Sequence, residues 1–321
     1  MKNKPIIILI GDMRGVFLEI FFKSLKKKKY KSPLLLICSK KEFEFQMKIF
    51  GFKKKIREVN FNNIFKTSIN NKSINILNID KKDYSVEKYN SKINNYYLVK
   101  SFKIAFDLIK KNYTNKLING PINKKNFLSK KYLGITEYLA SMFNKKDVGM
   151  LIYNKNLSVC PLTTHLPLKK VVKKITKKLI QNRIKMIDGF YKKNFKVKPK
   201  IGVTGINPHC ESIDKINEDV SIVQKAIKYC TKLKINVKGP FSADTIFLKN
   251  NRKNYDVIMG MYHDQVLTPI KTLYEYNAIN ITMGLPFLRV SPDHGPNKNM
   301  YGQNKSNPES LAMALNFLDK K

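Results

Sequence analysis

The four histidines are the residues of this chain best suited to catalysis or metal binding. They are His165 in CPLTTHLPL, His209 in GINPHCES, His263 in GMYHDQ and His294 in SPDHGP. Each follows a short apolar run that predicts a buried strand, and open α/β sheets place ligand sites at the carboxyl ends of their strands. Histidine binds metals and carries protons near neutral pH, although any single one can equally be a structural, hydrogen-bonded residue. Their separations of 44, 54 and 31 residues are too wide for a local metal motif.

Carboxylates, amides and cations accompany these histidines in the same stretches of sequence. They are Asp244, Asp264, Gln265, Lys271, Asn280 and Arg289. Arginine is scarce in this chain, and the planar guanidinium of Arg289 suits bidentate binding of phosphate or carboxylate. A single lysine here can equally be a solvated charge. Together these residues predict a small anionic substrate, and the lack of interleaved basic and aromatic residues argues against a nucleic-acid groove.

The net charge is the most unusual bulk property of the chain. Lys and Arg number 62 against 23 Asp and Glu, which gives +39. Such a charge can indicate binding to nucleic acid or to an anionic membrane. The lysines are spread along the whole chain, however, and accompany many Asn and Ile residues, as an AT-rich genome would encode. We therefore attribute the charge to composition and expect neither a nucleic-acid nor a membrane partner.

The cysteines and the N-terminus predict a cytoplasmic protein with reduced thiols. The four cysteines form no C-x-x-C pair and match no zinc-finger spacing. The opening MKNKPIIILIGDMRG has too short an apolar run for a signal peptide, and no stretch approaches the roughly 18 apolar residues of a membrane span. The chain also lacks G-x-G-x-x-G and Walker A motifs, which excludes a standard dinucleotide fingerprint or P-loop.

The pattern of apolar residues predicts an α/β protein. Continuous apolar runs, typical of strands covered on both faces, occur at 5–11, 33–38, 201–205, 256–260 and 278–284. Residues 168–190 have the apolar spacing of one amphipathic helix, with Val172 on its apolar face. A C-terminal helix is expected after Asn307 as N-cap, with Pro308 in its first position. Because no Pro/Gly/Ser-rich linker is present, any two lobes are expected to be interleaved in the sequence.

Several motifs resemble the 4-hydroxythreonine-4-phosphate dehydrogenase family of vitamin B6 synthesis. They are NGPINKKNF, GITEYLA, INPHCES, GPFSADT, YHDQVLTPIK and NITMGLPFLRVSPDHG, and the resemblance runs from about residue 117 to the C-terminus. It implies a single catalytic unit with a two-lobed α/β/α fold, related to isocitrate and isopropylmalate dehydrogenases. Lobe A would comprise about residues 1–140 and 290–321, and lobe B residues 141–289. The active site would lie in the cleft between the lobes, at a homodimer interface.

The resemblance also implies roles for individual residues. His165, His209 and His263 would bind a divalent cation (Zn, Mg or Co), with ligands shared between subunits. The substrate contacts would be Thr136, Asp244, Asp264, Lys271, Asn280 and Arg289. The loop DHGPNKNMYG would lie against NAD or NADP, with His294 and Gly295 as cofactor-side residues. Asp264 and Lys271 are both candidates for the catalytic base.

The activity implied is an NAD- and metal-dependent oxidation of 4-phosphooxy-L-threonine. The product, 2-amino-3-oxo-4-phosphooxybutanoate, is a β-keto acid that readily loses CO2 to give 3-amino-2-oxopropyl phosphate for pyridoxal phosphate synthesis. Two departures leave alternatives open. The family usually reads Gly-His-Thr-Glu where this chain has GITE, so Ile135 replaces a substrate-contacting histidine. The N-terminal motif GDMRGVFLE keeps Gly11, Asp12, Gly15 and Glu19 but loses the family's prolines and one glycine.

These departures define the competing hypotheses. One is a sister dehydrogenase that acts on a phosphorylated sugar acid such as erythronate or threonate 4-phosphate. Another is a non-catalytic protein on the same fold that binds metal or phosphate, which the retention of every predicted metal ligand disfavours.

Overall fold

The computed structural model describes residues 3–81, 84–123, 132, 134–213, 217–293 and 295–321. The chain divides into two compact units: unit 1 comprises Met1–Tyr138 and Pro286–Lys321, and unit 2 comprises Leu139–Leu285. Unit 2 is therefore inserted in the sequence of unit 1. Within the described ranges, none of the helices has both the length and the apolar character needed to cross a membrane.

Unit 1 is built on six parallel strands in the spatial order β3-β4-β2-β1-β5-β12. The strands are β1 (Ile6–Leu9), β2 (Leu34–Cys38), β3 (Ile56–Glu58), β4 (Ile74–Asn78), β5 (Lys116–Asn119) and β12 (Leu288–Pro292). Its helices are α1 (Phe17–Lys27), α2 (Lys40–Ile49), α3 (Ser91–Lys110), α4 (Ile135–Met142, across the unit boundary) and α11 (Glu309–Asp319). In the centre, Ile8 of β1 pairs with Leu36 and Ile118. All of β1 is buried, as expected for a strand with both faces covered.

Unit 2 has six strands in the order β11-β6-β7-β10-β8-β9. They are β6 (Gly149–Tyr153), β7 (Ser158–Pro161), β8 (Ile201–Thr204), β9 (Val237–Phe241), β10 (Val257–Gly260) and β11 (Ile279–Met283). Its helices are α5 (Leu168–Lys174), α6 (Lys177–Phe195), α7 (Lys225–Lys232, after a π-helical stretch at Asp219–Gln224), α8 (Ala243–Ile246), α9 (Lys249–Arg252) and α10 (His263–Tyr274). Strands β7, β10, β8 and β9 are parallel, whereas β6 is antiparallel to both of its neighbours.

The five apolar runs identified in the sequence all form strands, namely β1, β2, β8, β10 and β11. The prediction of one helix over residues 168–190 is wrong, because α5 ends at Lys174 and α6 begins at Lys177. The hydroxyl of Thr176 accepts the N–H of Leu179 at 3.2 Å and caps the new helix. As a result Val172, expected on the apolar face, is 50% exposed.

The C-terminal helix begins one residue later than expected. Its first residue is Glu309, and the side chain of Asn307 accepts the N–H of Glu309 at 2.9 Å. Asn307 therefore satisfies a backbone donor at the start of the helix, which was the role predicted for it.

Candidate active site at the carboxyl ends of three strands

Three of the four histidines follow three neighbouring parallel strands of unit 2. His165 comes four residues after β7, His263 three residues after β10, and His209 five residues after β8. Strand β10 pairs with β7 on one side and with β8 on the other. Because the carboxyl ends of parallel strands lie at the same edge of a sheet, the topology brings the three histidine-bearing segments side by side.

His263 is oriented by the residue that follows it. Its Nδ1 lies 2.7 Å from the carboxylate Oδ1 of Asp264, at the first turn of α10. An ionised carboxylate can only accept, so Nδ1–H is the donor, and in the neutral ring Nε2 then carries the lone pair. The side chains of His263 and Asp264 are 35% and 80% exposed, so solvent reaches this pair. A histidine whose second nitrogen donates to a carboxylate is the arrangement typical of metal ligands.

His209 has a similar partner that acts through a hydroxyl. Ser242 donates its proton to Asp244 at 2.6 Å, and its oxygen lies 3.4 Å from Nδ1 of His209. Because the hydroxyl proton is given to Asp244, the oxygen can only accept from Nδ1–H, which again leaves Nε2 as the basic nitrogen. The hydrogen bond from Ser242 lowers the pKa of the Asp244 carboxyl, and the nearby His209 contributes to the same effect. Asp244 is thus held in its ionised form.

His165 lies beside His263, with ring centroids 5.8 Å apart and ring planes inclined by 35°. The backbone of His165 has a φ of 36°, and that of His209 a φ of 55°. Both values lie in the left-handed region, which non-glycine residues seldom occupy. Such conformations have an energetic cost and concentrate at functional sites.

Zn²⁺ and similar ions accept neutral imidazole nitrogens, and at least two rings here have Nδ1 engaged and Nε2 available. Within the part of one chain that the structure describes, however, no group of three or more His, Cys, Asp or Glu side chains is arranged to hold a metal ion.

Lys271 and Asn280, two of the predicted substrate contacts, also belong to unit 2. Lys271 is seven residues after Asp264 in α10, which places both on one face of the helix, about 10 Å apart along its axis. Asn280 is in β11, and its side-chain oxygen is buried without a hydrogen-bond partner among the described residues. A buried acceptor without a donor costs free energy, so Asn280 is suited to a polar ligand.

Arg289 and Thr136, the remaining predicted substrate contacts, belong to unit 1. Arg289 is in β12 and is only 4% exposed, and its Nε donates to Oδ1 of Asn119 at 2.7 Å. Burial lowers the pKa of the guanidinium to about 10, while Glu137 acts in the opposite direction. Arg289 is still a cation at neutral pH, and a buried cation favours a nearby anion. Thr136 is half-buried and is the second residue of α4, directly after the buried Ile135.

The residues that the N-terminal motif retains contact other segments of unit 1. Gly11 has a φ of 74°, and a Cβ there would lie 2.3 Å from the carbonyl oxygen of Pro121, so only glycine fits. The buried carboxylate of Asp12 accepts from the side chain of Asn94 at 2.9 Å and from the N–H of Asn123 at 3.2 Å. The loss of the family's prolines leaves these contacts in place.

The same motif holds the segment after β12. A Cβ on Gly15 would lie 3.2 Å from the carbonyl oxygen of Pro296, and the buried Glu19 accepts the N–H of Ser306 at 2.6 Å. The predicted cofactor residue Gly295 is exposed and directly precedes Pro296. The other one, His294, lies outside the described residues. The N-terminal motif therefore contacts the predicted cofactor loop at Pro296 and the chain just after the loop at Ser306.

The sequence did not predict the roles of two residues that organise the site. Gln265 stood out only as a polar neighbour of His263, yet its amide bonds to three backbone or side-chain groups. Asp219 was not singled out, yet its buried carboxylate accepts the N–H groups of Ile206 and Asn207 at 2.6 and 3.0 Å. Only the YHDQ motif itself, next to a histidine, could have suggested Gln265.

This chain is similar in sequence to known proteins. Residues 29–318 match the family described as pyridoxal phosphate biosynthetic protein PdxA. A 4-hydroxythreonine-4-phosphate dehydrogenase from Sulfurihydrogenibium sp. is 36% identical over 96% of this chain and 95% of its own. A D-threonate 4-phosphate dehydrogenase from Pectobacterium atrosepticum is 35% identical over 62% of each chain.

Among solved structures, 4-hydroxythreonine-4-phosphate dehydrogenase from Klebsiella pneumoniae superposes with a TM-score of 0.84 at 25% identity and covers 99% of both chains. This similarity extends over both units, and it confirms the predicted two-lobed α/β fold. The extent of the family match and of the identity settles the classification. This chain belongs to the family of the pyridoxal phosphate biosynthetic protein PdxA.

Proposed function

We propose that this chain is an NAD-dependent, divalent-metal-dependent dehydrogenase of 4-phosphooxy-L-threonine. The oxidised product, 2-amino-3-oxo-4-phosphooxybutanoate, would lose CO2 to give 3-amino-2-oxopropyl phosphate for vitamin B6 synthesis. One observation carries the proposal: His263 and His209, after neighbouring strands, both have Nδ1 held by a carboxylate, directly or through Ser242. This arrangement supports cation binding far better than it supports a purely structural role for the histidines.

The proposed metal ligands are His165, His209 and His263, completed by ligands from a second subunit of a homodimer. Zn, Mg or Co would each satisfy the proposal. The chemistry that such a cation supplies is Lewis-acid stabilisation of negative charge on the substrate oxygen. NAD or NADP would accept the hydride, with Gly295 and His294 on the cofactor side.

The substrate's anionic groups match the cations of the proposed site. Arg289 supplies a buried positive charge, and Lys271 supplies a second cation on α10. Asp244 and Asn280 would bind the amino and hydroxyl groups, and Thr136 would donate a hydroxyl hydrogen bond. The oxygen of Asn280, buried without a partner in the described ranges, would then gain a donor.

The proposed roles of Asp264 and Lys271 differ. Asp264 accepts the Nδ1–H of His263, so it orients that imidazole and contacts the substrate as a fixed anion. Lys271 lies on the same face of α10, and both residues stay candidates for the proton acceptor. The cytoplasm, with its supply of NAD, is the proposed location.

A second candidate is oxidation of D-threonate or erythronate 4-phosphate. The observation that favours it is Ile135, which is 9% exposed and directly precedes Thr136. Isoleucine cannot form the substrate contact that the family's histidine makes, so recognition of the amino group of 4-phosphooxy-L-threonine is the feature most open to change.

A substrate comparison tests the proposal. NADH absorbance would be followed with purified protein, NAD and a divalent cation, with 4-phosphooxy-L-threonine and erythronate 4-phosphate in parallel and EDTA as control. Higher kcat/KM for the threonine derivative supports the proposal. Turnover of the sugar acid alone would replace it with the sister activity, and the absence of turnover with both would favour a non-catalytic binding protein.

A salt titration separates these hypotheses from a nucleic-acid role. Non-specific binding of DNA to a chain of charge +39 should weaken steeply as the salt concentration rises towards physiological values. Binding that persists with a distinct sequence preference would contradict our attribution of the charge to composition.

A further inference from the structure

We infer that Gln265 is a positioning residue that fixes the three histidine-bearing segments relative to one another. The inference rests on the proposed function, because it assigns a role in cation binding to a residue that does not touch the cation. Gln265 is the third residue of α10, two positions after His263, and is half-buried.

The amide of Gln265 uses both its acceptor and its donor. Oε1 accepts from the hydroxyl of Thr204 at 2.8 Å and from the N–H of Met261 at 2.7 Å. Nε2 donates to the carbonyl oxygen of Gly205 at 2.8 Å. Thr204 and Gly205 lead into the His209 segment, and Met261 leads into the His263 segment. One side chain therefore joins the ends of β8 and β10.

Met261 extends the connection to the third segment. Its carbonyl oxygen accepts the hydroxyl of Thr163 at 2.8 Å and the N–H of the same residue at 3.3 Å. Thr163 lies two residues before His165. Gln265 thus fixes the N–H side of Met261, while Thr163 fixes its carbonyl side, and the backbone of Met261 transmits the position of one histidine segment to the next.

The His209 segment is also held by Asp219. Because the segment has this second attachment, the hydrogen bond from Gln265 can fix its position. The carboxylate of Asp219 accepts the N–H groups of Ile206 and Asn207. A Cβ at Gly205 would lie 2.6 Å from Sγ of Cys210 and 2.9 Å from Asp219, so the turn is closely packed. With Gln265 on the Gly205 carbonyl and Asp219 on the next two amides, the backbone before His209 has little freedom.

The chemistry of the side chain at position 265 determines the expected result of substitution. Glutamate at this position could accept from Thr204 and Met261, but its carboxylate would face the carbonyl oxygen of Gly205 without a donor. Methionine would keep the approximate shape and lose all three hydrogen bonds. Because residues that orient metal ligands typically contribute about 10- to 100-fold to metal affinity, both changes should weaken cation binding to that extent.

Calorimetric titration of the intact, chelator-treated protein with Co²⁺ or Zn²⁺, without substrate or NAD, tests this inference. The variants are Gln265→Glu, Gln265→Met and the isosteric Thr204→Val, with Thr204→Ser as the conservative rescue. Asn154→Asp is the matched control, because Asn154 is also a buried amide of unit 2 with both a donor and an acceptor bond, to Asn277 and Asn156. Thermal unfolding of each variant separates loss of stability from loss of positioning.

The expected result is a raised dissociation constant in Gln265→Glu and Gln265→Met, a smaller rise in Thr204→Val, and values close to wild type in Thr204→Ser and Asn154→Asp. If the Gln265 variants fail to fold, Thr204→Val and Thr204→Ser still decide the question. Wild-type affinity in the folded Gln265 variants, or in Thr204→Val where those do not fold, would overturn the inference and leave the proposed function intact. Absence of cation binding by the wild-type protein would overturn both.

Discussion

The two units differ in the exposure and the hydrogen-bond partners of their polar residues. In unit 1, Asp12 and Glu19 are 2% and 1% exposed, and their carboxylates bond to backbone or amide groups of distant segments. In unit 2, the ring of His263 is 35% exposed and the carboxylate of Asp264 is 80% exposed, and the two bond to each other. Asp12 and His263 each come three residues after a strand, where ligand sites of α/β sheets usually lie.

This difference separates residues that hold loops together from residues that we propose to bind a ligand. A buried carboxylate that accepts hydrogen bonds from distant segments stabilises the loops around it. An exposed imidazole with its lone pair directed away from its carboxylate partner can bind a cation. We therefore expect the N-terminal motif of unit 1 to tolerate the loss of its prolines, and unit 2 to lose function when a histidine is changed.

The largest expected effect is from replacing a histidine. His209→Ala should abolish tight cation binding and lower kcat/KM by about 10³-fold or more, equivalent to ~4 kcal/mol of transition-state stabilisation. His209→Asn should do the same while tolerating the φ of 55° at this position. Both variants should stay folded. Cation affinity and turnover equal to wild type in either folded variant would contradict the assignment, and Lys253→Ala, another exposed change in unit 2, is the control.

Replacing Asp12 is expected to lower stability without changing cation affinity. Asp12→Ala leaves the amide of Asn94 and the N–H of Asn123 without their acceptor, and each unpaired buried group costs about 1–3 kcal/mol. We expect the free energy of unfolding to fall by about 2–4 kcal/mol, measured by urea denaturation, with cation affinity unchanged. Undiminished stability would remove the distinction between the two units.

Asp264→Ala is expected to weaken cation binding with little change in stability. The carboxylate is 80% exposed, so the free energy of unfolding should change by no more than about 0.5 kcal/mol. Without Asp264 the imidazole of His263 loses its orienting acceptor, and the dissociation constant for the cation should rise by about 10-fold. Calorimetry without substrate measures this directly. A large loss of stability together with unchanged affinity would place Asp264 with the structural carboxylates of unit 1.

The smallest effect concerns a buried carboxyl of unit 1. Burial raises the pKa of Glu42 above its usual 4.5, although hydrogen bonds from Gln46 and Tyr84 oppose the shift. A carboxyl whose pKa is raised in the folded state disfavours folding while ionised, and this cost disappears once the pH falls below 4.5. Glu42→Gln should therefore raise Tm slightly at neutral pH and by progressively less as the pH is lowered. A gain in Tm that increases as the pH is lowered would show that the pKa of Glu42 is not raised by folding.

The sequence was most informative where a single segment determines the outcome. Continuous apolar runs predicted β1, β2, β8, β10 and β11, because buried strands need apolar residues on both faces. The break between α5 and α6 was missed because the apolar spacing continues through it, and only the cap at Thr176 ends the pattern. The strands of residues 52–100 are short and lie among Lys and Asn runs, which hid their apolar signal.

The candidate site was predictable in its residue types but not in its connections. The position of each histidine after an apolar run was visible in the sequence. The order β7-β10-β8, which makes the three segments neighbours, depends on long-range pairing that no local pattern reveals. The contacts of Ser242 with His209 and of Gln265 with Gly205 join residues 33 and 60 positions apart. Such contacts depend on the fold, and the spacing of residues in the sequence does not predict them.

The most direct test of the central claim is removal and return of the metal. Protein stripped with EDTA would be assayed for NADH formation from 4-phosphooxy-L-threonine, before and after addition of a divalent cation, beside His209→Asn treated in the same way. Stripping is expected to abolish turnover, the cation should restore turnover in the wild type, and the variant should stay inactive. Full turnover by the stripped wild type, or restoration of activity in the variant, would contradict the account.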